Sequence, residues 1–555
     1  MVTVDAPSID AGTRPRRAMA AALVAVAVVG AALRLWQYGA DGSLWVDELA
    51  LVRGILAADL RELLTTPLLH NQVAPKGFLL MERLAASAFG PGEYALRLFP
   101  LVCSLVSLVI FVRFSARFLK GAGPLAASTL FATAAPLVAS GALVKQYSAD
   151  VCVAVLLWQL AYDLSTRNVR PARAALFGSL LVWFSTPALL MTASLGAAVL
   201  AWPGSGPADG GGRRALLRVL GCWWASSLAA TAATYATTNS ATRDYMRWFW
   251  SGGFAPLSPS EFLKTLWPFE RISSLFGPGQ TFGGMAYPAP AAYAALTLLG
   301  LALLWRRERV QAALLTSPLL FTLGAAVVRQ YPFSDRLVLF LLPGLLLAIA
   351  AAVECVRRWL WSRSRALGAL AFALILLPAV YPLAATPPPH YTEPIKPVLA
   401  YVRERRQRGD AVYVYYGAAL AVSYYASRYG LGRAEYAVGG CHRGDARLYL
   451  HELDRFRGRP RVWVVLTHAG PALSEREDIL AYLDAIGVRR EGLRVEPRGV
   501  GRNLLPAEAY LYDLSIDEKL DDASADTFTL KGPYAPGQRL GCGEATQASL
   551  PNDFE

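Results

Sequence analysis

The chain has 555 residues, 54% of them hydrophobic and 17% charged, with a mean hydropathy of +0.34. A soluble globular protein carries about a quarter charged residues. Here the deficit falls in long apolar runs, which excludes an ordinary soluble fold and predicts a polytopic α-helical membrane protein. The formal charge of +13 fits cytoplasmic Lys/Arg and anionic lipid contact; no interleaved basic–aromatic motif points to nucleic acid.

The N-terminus reads "RPRR" and then "AMAAALVAVAVVGAALRLW". The apolar part is long and no clear small-residue cleavage site follows, so it is taken as an uncleaved first span at 18–37, with Arg14, Arg16 and Arg17 in the cytoplasm. Further apolar segments follow at roughly 96–117, 122–143, 147–165, 173–203 (two short spans broken near Pro187), 214–238, 288–305, 311–328, 336–355 and 366–386. That predicts about eleven transmembrane helices. The basic patches at 113–121, 165–173, 210–218, 305–310 and 356–365 all fall on the side of the N-terminus, which makes that side cytoplasmic. The segment 76–91 is amphipathic and carries Glu82 and Arg83; it is placed at the outer interface.

This topology predicts a membrane domain over 1–386 with two outer loops, about 38–95 and about 239–287. The second is rich in Trp, Phe and Pro, which suits the headgroup layer and equally a lipid or sugar site. After Pro387 the composition changes. "TPPPHYTEP" reads as a linker, "IKPVLAYVRERRQRGD" as an amphipathic helix, "AVYVYYG" as a strand and "AALAVSYYASRYG" as a helix. "RVWVVLTHA" reads as a second strand, with "EREDILAYLDAIG" a helix after it. This alternation predicts an extracytoplasmic α/β domain over 387–555. Cys441 and Cys542 would face an oxidising compartment, where a disulfide between them is open. Cys103, Cys152, Cys222 and Cys355 lie in or beside apolar segments and read as packing residues; no CxxC pair or metal-ligand spacing occurs. No internal repeat is found, which argues against a transporter built from repeated halves.

The first outer loop holds "SLWVDELALVRGIL", an adjacent pair of carboxylates, Asp47 and Glu48, after Trp45. Acidic residues at a helix start are favourable in themselves. Their company gives them a second reading: "NQVAPKGF" at 71–78 and "PGEYALRLFP" at 91–100 lie in the same loop.

Together with "KQYSAD" at 145–150, "YPFSDRLVLFLLPG" at 331–344 and the opening of the α/β domain, these segments form an ordered set. The set resembles the family-39 type of GT-C class membrane glycosyltransferases, relatives of protein O-mannosyltransferases and aminoarabinose transferases. The stretch from 173 to 325 carries little of the resemblance. The family usually has two prolines where this chain has Pro75 and Lys76.

The resemblance implies transfer of a sugar from a polyprenyl-phosphate-linked donor to an acceptor hydroxyl on a lipid, glycan or protein at the outer face. An attacking hydroxyl needs a base, and a leaving phosphate needs cations. Asp47 is assigned as the base and Glu48 as a group orienting the acceptor or a cation. Lys76, Arg97, Lys145 and Arg336 are candidates for the phosphate, each equally readable as an interface residue; Arg97 also stands four residues from Glu93, at ion-pair spacing. Trp45, Gln72, Tyr147 and Asp150 are counted as substrate-binding. His70 and His468 read as hydrogen-bonded surface histidines. No cofactor is assigned; some relatives use a divalent metal, no ligand cluster is seen, and metal use stays open. The expected location is the inner (plasma) membrane. The competing classes are a lipid-linked glycan flippase or transporter and a non-catalytic envelope assembly subunit.

Overall fold

The computed structural model describes residues 13–166, 169–202, 210–279, 284–442, 445–469, 474–499, 501, 504–520 and 523–532. Cys542 lies outside them.

Among the described residues six helices are long and apolar enough to cross a membrane: Arg16–Gly39, Leu98–Phe118, Gly212–Ala236, Arg309–Val327, Asp335–Trp361 and Arg365–Ala385. The chain is a multi-pass membrane protein on these segments. Of the remaining expected spans, 147–165 and 288–305 form the unbroken helices Tyr147–Thr166 and Pro290–Arg307, and the other two are divided. The 122–143 segment splits into Gly123–Thr133 and Ala135–Ser140, with Pro136 near the start of the second. The 173–203 segment splits into Pro171–Leu181 and Ala188–Ala201, which starts directly after Pro187. Proline lacks the amide a helix interior needs and restricts its predecessor, so a break at these places follows from the sequence.

The helix Leu342–Trp361 is buried along most of its length and forms the centre of the bundle, packing with Leu345, Leu346 and Ile349 against Pro290–Arg307 and Arg365–Ala385. The expected interfacial segment is the helix Lys76–Phe89. It buries Lys76, Phe78, Leu79 and Glu82, and leaves Leu84 and Phe89 exposed. The segment 239–287, expected as the second outer loop, holds three short helices, Ser240–Phe249, Pro259–Lys264 and Trp267–Ser274. Trp248, Phe249, Leu257, Leu263 and Leu266 of this loop are exposed, as side chains facing a headgroup layer are.

The C-terminal region contains a five-stranded sheet: β1 (Ala411–Val414), β2 (Ala437–Val438), β3 (Val462–Leu466), β4 (Val488–Val495) and β5 (Ala507–Asp513), in the order β2-β1-β3-β5-β4. β1 runs parallel to β2 and β3; β5 is antiparallel to β3 and β4. β1 and β3 are buried along their whole length, because helices cover both faces of the parallel part. β4 is an edge strand with Arg489, Arg490 and Arg494, charges that discourage further pairing. The fold class is the expected one: a helical membrane bundle with a C-terminal α/β region.

Two features differ from expectation. β4 and β5 are strands that alternation of apolar residues does not reveal. The proline-rich segment before Ile395 is no loose linker: His390, Thr392 and Glu393 are 4%, 3% and 2% exposed. Glu393 takes the Val46 amide of the Asp47 segment, and the backbone of His390 pairs with Gln37. One core joins Leu44, Leu49, Val52, Leu96 and Val144 to Ile395, Val398, Leu420 and Val465, so the α/β region sits directly on the Asp47 loop. Cys441 is disulfide-bonded; Cys103, Cys152, Cys222 and Cys355 are free.

Candidate active site

The Asp–Glu pair opens the helix Val46–Ala57, with Trp45 as its extended N-cap residue. Consecutive helical residues point about 100° apart, and the two carboxylates therefore face different surroundings.

Glu48 turns inward. It is 1% exposed and receives Arg97 through both carboxylate oxygens, at 2.9 Å and 3.1 Å from Nη2 and 3.2 Å from Nε. Its remaining capacity is filled by two backbone amides, Val144 N–H at 2.8 Å and Trp45 N–H at 3.3 Å. Arg97 also donates to the carbonyls of Gly42 at 2.6 Å and Ser43 at 3.2 Å. This buried, bidentate pair ties together three segments of chain: the loop before Asp47, the turn before Lys145 and the start of the Leu98–Phe118 helix. Arg97 does not pair with Glu93, whose carboxylate is taken by Lys396 at 2.6 Å and Arg428 at 2.8 Å.

Asp47 turns the other way, to the wall of a cavity of about 390 Å³. One carboxylate oxygen accepts a hydrogen bond from Lys145 Nζ at 3.1 Å, and the other is ion-paired with Arg336 Nη2 at 3.0 Å. Burial alone would push this carboxyl up; the Lys145 and Arg336 charges outweigh it and hold the group below its ordinary range. Lys145 is further fixed by Gln72 Oε1 at 2.5 Å. The Arg336 guanidinium lies among three rings, with centroids at 5.3 Å for Trp250, 5.6 Å for Trp45 and 5.8 Å for Tyr147. Such an aromatic setting suits a delocalised, weakly hydrated cation.

Lys76 stands on the same cavity wall, at the N-terminus of its helix. The helix reaches this depth because Gly77 packs against the backbone of 183: a Cβ there would lie 2.7 Å from the Trp183 carbonyl oxygen. Lys76 is 8% exposed, and burial lowers its ammonium from the usual lysine range. Among the described residues it makes no hydrogen bond or ion pair. An unpaired, buried cation at a cavity wall is a ready anion site.

Of the sequence-predicted residues, Asp47, Gln72, Lys76, Lys145, Tyr147 and Arg336 line this one cavity. Trp45 lies behind it, under Arg336. Asp150 lies one turn along from Tyr147, off the cavity wall, and accepts from Thr186 N–H at 2.9 Å; it secures a turn whose Ser185 and Thr186 do face the cavity. Glu48 and Arg97 lie outside the cavity, engaged with each other. The cavity is also lined by Tyr235, Arg243, Trp250 and Arg329, which no motif singled out, and by Tyr331, which opens the 331–344 motif but was not counted as a site residue. The aromatic composition of the 239–287 loop was the available signal for Trp250; for the arginines there was none. Among the described residues no three His, Cys, Asp or Glu side chains converge as metal ligands.

No protein-family model and no curated protein sequence matches the chain. Among solved structures it is similar to ArnT from Cupriavidus metallidurans in the apo state, with a TM-score of 0.47 and 12% identity over 90% of this chain and 99% of that one. ArnT from Cupriavidus metallidurans bound to undecaprenyl phosphate gives a TM-score of 0.43 at 12% identity, over 89% and 98%. The apo form of the Archaeoglobus fulgidus oligosaccharyltransferase gives 0.44 at 13% identity, over 87% of this chain and 74% of that one.

Proposed function

We propose that this protein is a glycosyltransferase that moves a sugar from a polyprenyl-phosphate donor to an acceptor hydroxyl at the outer face of the inner (plasma) membrane. The observation that carries the reading is Asp47 held between Lys145 and Arg336 on a cavity wall shared with the unpaired Lys76. Sugar transfer from a lipid phosphate needs this combination. The acceptor hydroxyl attacks the anomeric carbon, the carbon–oxygen bond to the phosphate breaks, and the hydroxyl proton passes to Asp47. The phosphate leaves with both electrons of that bond, and Lys76 with Arg336 stabilises its charge.

The two cations on Asp47 make it a weak base while the cavity is empty. A donor phosphate competes for Lys145 and Arg336, loosens their hold and strengthens Asp47 as a base only when there is substrate to deprotonate. Trp45, Tyr147 and Trp250 keep Arg336 in place during this exchange. In this reading residues 1–386 form the catalytic membrane domain, 387–555 the extracytoplasmic domain, and the N-terminus is cytoplasmic. A bundle that only moved a lipid-linked glycan would have no use for a carboxylate clamped by two cations beside a third.

Mass spectrometry of cells lacking the protein should find one lipid-linked sugar accumulating, and returning to normal with the wild-type chain but not with Asp47→Asn. An unchanged lipid pool would count against the donor class. A cysteine placed at Ser474 should label from outside in intact cells; labelling only after permeabilisation would overturn the orientation and the outer-face site.

A further inference from the structure

The mechanism above uses nothing from the α/β region, yet that region grips the backbone that presents Asp47. Val46 N–H donates to Glu393 Oε2 at 3.0 Å. Leu44 N–H donates to the Tyr425 hydroxyl at 2.8 Å. Lys396 N–H donates to Ser43 Oγ at 3.1 Å, and Lys396 Nζ to the Asp41 carbonyl at 2.8 Å. At the other end of the strap, Gln37 exchanges two hydrogen bonds of 2.7 Å with the backbone of His390.

Val46 is the first residue of the Asp47 helix, and its amide is one of the orphan donors every helix start exposes. A side chain of the helix itself usually caps such a group. Here the cap comes from a carboxylate 347 residues away. Glu393 is 2% exposed, so its placement is costly unless both oxygens are engaged. The second oxygen meets His468 Nδ1 at 2.7 Å. His468 follows β3 closely and has a φ of +57°, a left-handed backbone that a histidine adopts at a cost. Backbone held in such a state is a mark of imposed geometry. The imidazole also lies within electrostatic reach of Asp47.

We infer that Glu393, buttressed by His468, is a positioning residue that sets the entry angle of the Asp47 helix and so aims the Asp47 carboxylate at the acceptor. Neither residue lines the cavity; both act through the Val46 amide. The inference rests on the transfer reading, and makes the α/β region part of the catalytic machinery. Without this cap the first turn of the helix frays, and Asp47 swings by a fraction of its hydrogen-bond length. A misplacement of about 1 Å costs on the order of 10²-fold in rate.

The test is sugar transfer by the full-length protein in proteoliposomes, with kcat and donor KM measured separately, and deuterium exchange of the peptide spanning 43–50. Glu393→Ala should lower kcat about 10- to 100-fold, with donor KM changed less than about threefold, because the phosphate site is untouched. Its exchange at 43–50 should be faster than in wild type. Glu393→Gln keeps an oxygen for Val46 N–H and should recover most of the loss. His468→Ala should lower kcat several-fold, and His468→Asn, whose amide can donate near the Nδ1 position, should restore it. A kcat within about twofold of wild type in Glu393→Ala, a Gln variant as impaired as Ala, or unchanged exchange would overturn the inference. If Glu393→Ala does not fold, the His468 pair decides: a His468→Ala protein with wild-type kcat overturns it. The exchange measurement needs no activity. A wild-type protein that transfers no sugar from any polyprenyl-phosphate donor therefore counts against the transfer reading, and separately from this one.

Discussion

Two carboxylates adjacent in sequence occupy two different worlds in this protein. Glu48 and its surroundings form a closed region: a bidentate Arg97 and two backbone amides use every lone pair, and the arginine spends its spare hydrogens on two carbonyls. Asp47 and its surroundings form an open one: two cations reach it, Lys145 from a bend and Arg336 from a 3-10 turn, and a third cation stands nearby with no partner among the described residues. The lesson is that a charge cluster becomes a candidate for chemistry when its charges remain incompletely matched at a cavity wall. Where they match completely, the cluster holds chain segments together.

The comparison is broken or sharpened most strongly at Asp47. Asp47→Asn keeps the size and most of the hydrogen bonding but cannot take a proton. Transfer should fall about 10²–10⁴-fold while the melting temperature in detergent changes little. An active Asn variant would return the residue to a structural role and erase the contrast with Glu48. Arg97→Ala tests the closed side. It leaves Glu48 buried and uncompensated, and should cost about 3–5 kcal/mol of stability, with activity lost in step with the folded fraction. A stable but inactive Arg97→Ala protein would instead place the pair in the chemistry. Glu48→Gln should be milder on both counts.

Lys76 comes next. Lys76→Met should weaken donor binding by roughly ten- to hundredfold, the worth of one charge-assisted hydrogen bond, and leave stability unchanged or raised. Equal donor affinity in the two proteins would remove it from the phosphate site.

The smallest effect is expected at a third carboxylate, which provides a control with no cation at all. Glu82 is fully buried, and among the described residues neither oxygen has a hydrogen-bond partner. Burial, and then the negative Glu48, push its carboxyl well above the ordinary glutamate value. The folded chain therefore keeps this proton at pH values where the unfolded chain has released it. Stability contributed by the neutral group is whole below the ordinary glutamate value and falls as pH rises toward the folded one. Glu82→Met should stabilise the protein at pH 8 by on the order of 1–3 kcal/mol, and the gain should shrink toward pH 5. A gain independent of pH would mean that the proton plays no part.

Much of this architecture was legible in the sequence. Hydropathy located the long spans, and Pro187 marked where one of them divides; the break before Pro136, inside the 122–143 segment, was not read from the sequence. β1 and β3 announced themselves as apolar runs because parallel strands are buried on both faces. β4 did not, since "VRREGLRV" is an edge whose arginines protect it from pairing and so disguise it as a loop. Six residues picked from motifs share one cavity, as expected of motifs that the hydropathy pattern places at one membrane boundary.

The sequence by itself determined which residue types stand at that boundary and that acids and cations meet there; hydrophobic burial leaves polar side chains few other places. Only the tertiary structure decided which charge matches which. Glu48 and Arg97 are 49 residues apart, Asp47 and Lys145 98, Val46 and Glu393 347. Such contacts follow from how the helices and the α/β region pack, and no local pattern encodes them. Helical geometry added the last distinction. A rotation of about 100° per residue turned two neighbouring carboxylates to different sides, one into a sealed interface and one to a cavity wall.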